Sequence, residues 1–161
     1  MKKSILSFFL VLIMAIGVIG NQETEVAAKA KYITNQNFRG TFTIGGEKCT
    51  YESGGYELVI GKISSDGTVK LQLHRWSCNA GKIADTDIIK TKIKKKKAVF
   101  TFTDSYDGSL EKGILTFRKD KTVDLEVKVL KEAEFSGYSL AIGENNFQRV
   151  SKKHKLWKPE Y

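Results

Sequence analysis

This sequence predicts an all-β protein, an antiparallel meander of about eight or nine short strands, closed into a barrel in preference to a two-sheet sandwich. Three observations carry that expectation. Apolar residues recur at every second position, most cleanly at Ala98, Phe100 and Phe102 and again at Val123, Leu125, Val127 and Val129. Successive side chains leave opposite faces of a pleat, so period two is the signature of a strand. Turn chemistry punctuates these stretches at Gly45-Gly46, Ser64 to Gly67 and Asp107-Gly108, where glycine accepts the positive φ that tight turns need. Finally, no stretch sustains a helical period; one ambiguous piece, Ile83 to Ile89, has room for a single turn. Closure into a barrel removes the exposed edges that a flat sheet would carry.

In chain order, residues 31–37 form a polar lead-in, and Phe38 to Ile44 is the first strand, with Phe38, Gly40, Phe42 and Ile44 on alternate positions. A second strand begins at Cys49 to Tyr51, is interrupted at Ser53-Gly54-Gly55 and continues from Tyr56 to Ile60. Thr68 to Trp76 sets Val69, Leu71 and Leu73 against Lys70, Gln72 and His74, which places His74 toward solvent. The chain loops around Cys78 to Gly81. Ile88 to Lys94 is a strand that turns tightly through Lys94–Lys97 into the central meander, formed by Ala98 to Thr103, Gly113 to Arg118 and Val123 to Val129. Asp124, Glu126 and Lys128 fill the far face of that last strand, so it covers a core and turns a charged back to water. Gly137 to Ile142 and Phe147 to Val150 are short closing strands.

At the amino end, Lys2 and Lys3 precede an apolar run from Ile5 to Gly20, then a polar stretch ending Ala28-Lys29-Ala30. This is the layout of a secretory signal, with residues 1–30 as the leader and 31–161 as one barrel domain. Cleavage after Ala30 is the preferred bond and after Gly20 the alternative. The expected destination is extracellular, in solution or held at the cell surface. One Pro and no low-complexity segment argue against a linker. In an oxidising compartment the two cysteines, Cys49 and Cys78, are expected to form one disulfide, worth about 3–4 kcal/mol on the loop-entropy model.

Phe38-Arg39-Gly40-Thr41-Phe42 resembles the opening of calycin barrels, the lipocalin and fatty-acid-binding group, which carry Gly-x-Trp at the start of their first strand. Phe42 stands here where Trp is usual. The resemblance implies barrel topology and, as one functional reading, a small apolar ligand in the interior.

The usual ingredients of catalysis are missing. There is no Gly-x-Ser-x-Gly elbow, no His-Glu-x-x-His and no phosphate-cradling loop. His74 and His154 are far apart in sequence, and His154 reads as a tail residue in a lysine cluster. The carboxylate pairs Glu52 and Glu57, Asp85 and Asp87, and Asp104 and Asp107 sit in or beside turns, where acidic residues serve the backbone. Asp104 to Glu111 lacks the ligand spacing of an EF-hand and reads as a plain hairpin turn. Two cysteines supply too few ligands for zinc. No catalytic residue, metal or cofactor is therefore expected.

Charge says more. The chain has 27 Lys and Arg against 18 Asp and Glu, a formal charge of +9. Two clusters stand out: Lys90, Lys92, Lys94, Lys95, Lys96 and Lys97, and then Lys152, Lys153 and Lys155 with Trp157. Such clusters serve solubility and edge protection, and they also attract anionic surfaces. The functional expectation is an exported, non-catalytic binding module for an anionic cell-surface polymer, a membrane surface or an acidic protein; a hydrolase inhibitor is one form of it. Nucleic acid fits poorly, because Lys far outnumbers Arg and the compartment is wrong. The alternative is a carrier of a small apolar ligand. Its lining would be Phe42, Leu58, Ile60, Leu71, Leu73, Phe100, Phe102, Leu125 and Val127, a set that could equally fill the barrel.

Overall fold

Alternation along the chain becomes nine strands and one short helix in the computed structural model, which describes residues 28–133 and 140–157. The helix is α1 (Asn35–Phe38). The strands are β1 (Gly40–Ile44), β2 (Gly55–Ile63), β3 (Thr68–Ser77), β4 (Gly81–Asp85), β5 (Ile89–Lys94), β6 (Lys97–Thr103), β7 (Leu110–Phe117), β8 (Val123–Lys131) and β9 (Gly143–Ser151). All named strand pairs are antiparallel. β9 returns to β1 while β2 pairs with β3, so eight strands close into a barrel and β4 is the extra one. β5 and β4 share one edge of β3, along Thr68–Leu71 and His74–Ser77 respectively.

The inward positions pack as one cluster. Phe42, Leu58, Ile60, Leu71, Leu73, Phe100, Phe102, Leu125 and Val127 all belong to it, joined by Phe117 and Phe147. Burying a side chain of this kind is worth about 1.5–3 kcal/mol, so the shared interior holds the strands together.

Several expectations shift by a few residues. Phe38 ends α1 instead of opening the first strand. Thr34 caps that helix, its hydroxyl accepting the Asn37 N–H at 3.3 Å, and the Phe38 ring meets the Phe117 ring edge-on at 5.1 Å. The lead-in is therefore a plug across one end of the barrel. Asn35 fastens it by donating to the Ile63 carbonyl (2.9 Å) and accepting the Ile63 N–H (2.7 Å). Cys49 to Tyr51 lies in the loop 45–54, and β2 starts at Gly55. The ambiguous piece after Ile83 continues β4 to Asp85 and then breaks at buried Thr86, not into a helical turn. There the Thr86 N–H bonds the Leu73 carbonyl (3.0 Å) and its hydroxyl accepts the Leu73 N–H (3.1 Å). Of the expected strand Gly137 to Ile142, residues 137–139 lie outside the described residues and 140–142 are not strand. The expected leader lies outside them too, apart from residues 28–30.

The expected disulfide is absent: Cys49 and Cys78 are free thiols, one half-buried and one exposed. Each packs on a different glycine. A Cβ on Gly55 would stand 3.0 Å from the Cys49 sulfur, and one on Gly54 would stand 3.4 Å from the Cys78 sulfur.

Candidate functional site

Antiparallel strands deliver their connections alternately to two ends of a barrel, and here the two ends differ in charge. The α1 end receives the β2–β3, β5–β6 and β7–β8 turns, the amino-terminal segment and the chain leaving β9. Exposed Lys31, Arg39, Lys95, Lys96, Lys119, Lys121, Lys152 and Lys153 stand there, with Lys94 and Lys97 at the adjoining strand ends, against Asp66 and Asp120 in its turns. The opposite end carries Glu47, Glu52, Asp87, Asp104, Asp107 and Glu132 in its described connections, against Lys48.

The tetrad Lys94–Lys97 is a tight turn in which Lys94 pairs with Lys97 and Lys95 takes φ 53°. A non-glycine residue in the left-handed region needs support, and the amino-terminal segment supplies it. The Ala30 N–H donates to the Lys95 carbonyl (2.6 Å), and the Lys95 N–H donates to the Ala28 carbonyl (3.0 Å). Of Lys90, Lys92 and Lys94–Lys97, all exposed, Lys92 alone has a described carboxylate within salt-bridge reach, Asp66 at 3.6 Å. Beside the turn lies a cleft of about 580 Å³ whose charged lining is mixed, Lys96, Lys97, Arg118 and Lys119 against Asp120, Asp124 and Glu144. The Arg118 guanidinium is held there by Asp124. A second hollow, about 340 Å³, is lined by Asn35, Gln36, Arg39 and Lys152.

The second lysine cluster divides. Lys152 and Lys153 follow β9, whose Ser151 pairs with Thr41 at the start of β1, so they join the basic end. Lys155 and Trp157 instead belong to a tail that crosses the outside of β2 and β3. Leu156 covers Gly61, where a Cβ would come within 3.1 Å of its side chain. The buried Gln72 amide donates to the carbonyls of Trp157 (2.9 Å) and Thr86 (2.8 Å), and its oxygen accepts the Trp157 N–H (2.9 Å). Lys155 places its ammonium 3.6 Å above the Trp157 ring, a cation–π contact.

His74 departs from expectation most. It is 1% exposed, and neither ring nitrogen has a hydrogen-bond partner. The tail crosses β3 at Gln72, two residues before it on the same strand face. Register sets it in a cross-strand row, Thr43–Glu57–His74–Asp85, on one face of β1 to β4. Burial lowers its pKa to about 4, with Lys82 adding to the effect and Asp85 opposing it. Burial raises Glu57 and also takes the Cys49 thiol up to about 11, with Glu57 contributing. An imidazole sealed in this way offers no substrate an approach. His154 is a tail residue, its ring 3.1 Å from Arg39 Nε.

Asp104 and Asp107 close a loop. Asp104 accepts the N–H groups of Tyr106 (2.8 Å) and Leu140 (2.6 Å), and Asp107 accepts that of Ser109 (2.8 Å). Among the described residues no group of three His, Cys, Asp or Glu side chains is placed to hold a metal ion, and no helix is long and apolar enough to cross a membrane. A scan against protein-family models, a search of the curated proteins and a search of solved structures each find no match to this chain.

Proposed function

We propose that this protein is an exported, non-catalytic binding module that docks its α1 end on an anionic cell-surface partner. One observation supports this reading above the others. Lysines from opposite ends of the sequence, Lys94–Lys97 and Lys152-Lys153, meet at one end of the barrel, and no described carboxylate lies within salt-bridge reach of them. Near a charged membrane surface each such residue contributes about 1 kcal/mol. The experiment is retention of the purified protein on isolated anionic envelope material and on anionic vesicles. Replacing Lys94–Lys97 by Gln should weaken retention steeply and flatten its salt dependence. Unchanged retention would sink the reading.

Export rests on the leader-like residues 1–30. The alternative function, a carrier of a small apolar ligand, draws support from the likeness of residues 38–42 to calycin barrels. Native mass spectrometry for co-purifying lipid separates the two.

A further inference from the structure

We propose that the barrel wall between β5 and β6 is a docking slot for an extended peptide segment of a partner protein, one that alternates acidic and apolar residues. This goes beyond docking of the basic end and stands on separate observations. β5 and β6 pair only through Ile93–Ala98 and Lys94–Lys97. Beyond those pairs the Thr91 hydroxyl still donates to the Val99 carbonyl (2.8 Å), and past that bond the strands part around a cleft of about 460 Å³, lined by residues 87–91 of one side and 99–103 of the other. The cleft ends at Asp85 and Ser105, where the Ser105 N–H donates to the Asp85 carbonyl at 3.2 Å.

Hydrogen-bond alternation fixes which backbone groups face the opening. The Phe117 N–H bonds the Lys96 carbonyl, so Thr101 and Thr103 turn their N–H and C=O groups away from β7 and into the cleft. The Ile93 N–H bonds the Gly67 carbonyl, so Lys90 turns its own groups away from β3 and into the same space. Two strand edges thus face each other without a ladder between them. Through the gap the core is reached: its least buried members are Ile89 (8%), Phe102 (7%) and Phe100 (6%), and all three line the cleft.

An unpaired strand edge accepts an extended chain by main-chain hydrogen bonds, and alternate side chains then set specificity. A segment laid along Phe100–Thr103 spans about 13 Å. Its inward side chains would meet Ile89, Phe100 and Phe102, which select apolar residues. Its outward side chains would meet exposed Lys90, with Lys92 just beyond the cleft beside Asp66, and these select Asp or Glu.

The test uses the full chain and a capped hexapeptide alternating Glu and Val. Titration calorimetry measures binding, and amide hydrogen exchange reads Thr101 and Thr103. The expected result is binding that slows exchange at both amides. It should weaken about tenfold or more when the peptide's edge-facing amides are N-methylated, and again in Lys90→Glu/Lys92→Glu. No binding would mean that the lysines merely guard an open edge. Binding indifferent to N-methylation would mean charge alone, and displacement of the peptide by a fluorescent fatty acid would assign the slot to an apolar ligand. Each of these three outcomes overturns the proposal.

Discussion

Phe100 and Gly113 stand directly opposite each other on β6 and β7, and the phenyl ring occupies the space where a Cβ on Gly113 would go, 2.3 Å from two ring carbons. The glycine serves packing, since its φ is not in the left-handed region. Gly113→Ala should therefore overpack the interior and cost about 1–3 kcal/mol, read as a lower urea midpoint. Phe100→Leu removes the ring carbons that clash, so in a double-mutant cycle the Gly113→Ala cost should shrink. An additive cycle would show that the two residues do not compete for space.

Acid should weaken the fold through His74. Its folded pKa, about 4, lies below the ordinary histidine value of 6.5. Between those values the unfolded chain binds more protons, so stability is complete above pH 6.5 and falls as pH drops toward 4, by about 3 kcal/mol at most. Glu57 and Asp104, both raised by burial, act in the opposite direction just above the ordinary carboxylate range. His74→Leu removes two unpartnered buried nitrogens and should be neutral or stabilising at pH 7. It should also flatten the pH profile of the unfolding midpoint, and a profile as steep as the parent's would clear His74.

Gln72 should control the tail. Its amide makes three hydrogen bonds, two with Trp157 and one with Thr86. Gln72→Leu leaves the Thr86 carbonyl without that donor and should cost about 1–3 kcal/mol. Lysine-specific proteolysis at Lys155 should speed up before the barrel itself is cut. Equal cleavage rates in parent and variant would show that the tail is held by other contacts.

The amino-terminal strap bears on processing. Ala30 packs against the core, and two backbone hydrogen bonds join Ala28 and Ala30 to Lys95. A chain beginning at Lys31 should be less stable than one beginning at Ala28, by about 1 kcal/mol for each bond lost. Chemical denaturation of the two forms decides this. Mass spectrometry of the protein as its host makes it then shows whether the chain begins before or after the strap.

The strands were legible in the sequence because period two is a local property: Phe100, Phe102, Leu125 and Val127 need only their own neighbours to declare a face. The plug was not, since the short run Thr34 to Phe38 becomes a helix only where Phe38 can pack on Phe117 and Asn35 can bond Ile63. For the candidate site, both lysine clusters were visible as composition, but their meeting at one end depends on how many strands lie between them.

Alternation, turn residues and net charge by themselves determined an all-β barrel with an apolar inside and a basic outside, because each acts over a few residues. Tertiary structure alone decided which outward face stays wet. Gln72 and Trp157 are 85 residues apart, yet their hydrogen bonds lay the tail across β3 and the same strand face buries His74. It also decided where the wall opens, since β5 and β6 pair at only two positions. Both outcomes depend on long-range contacts that the local pattern of a strand does not encode.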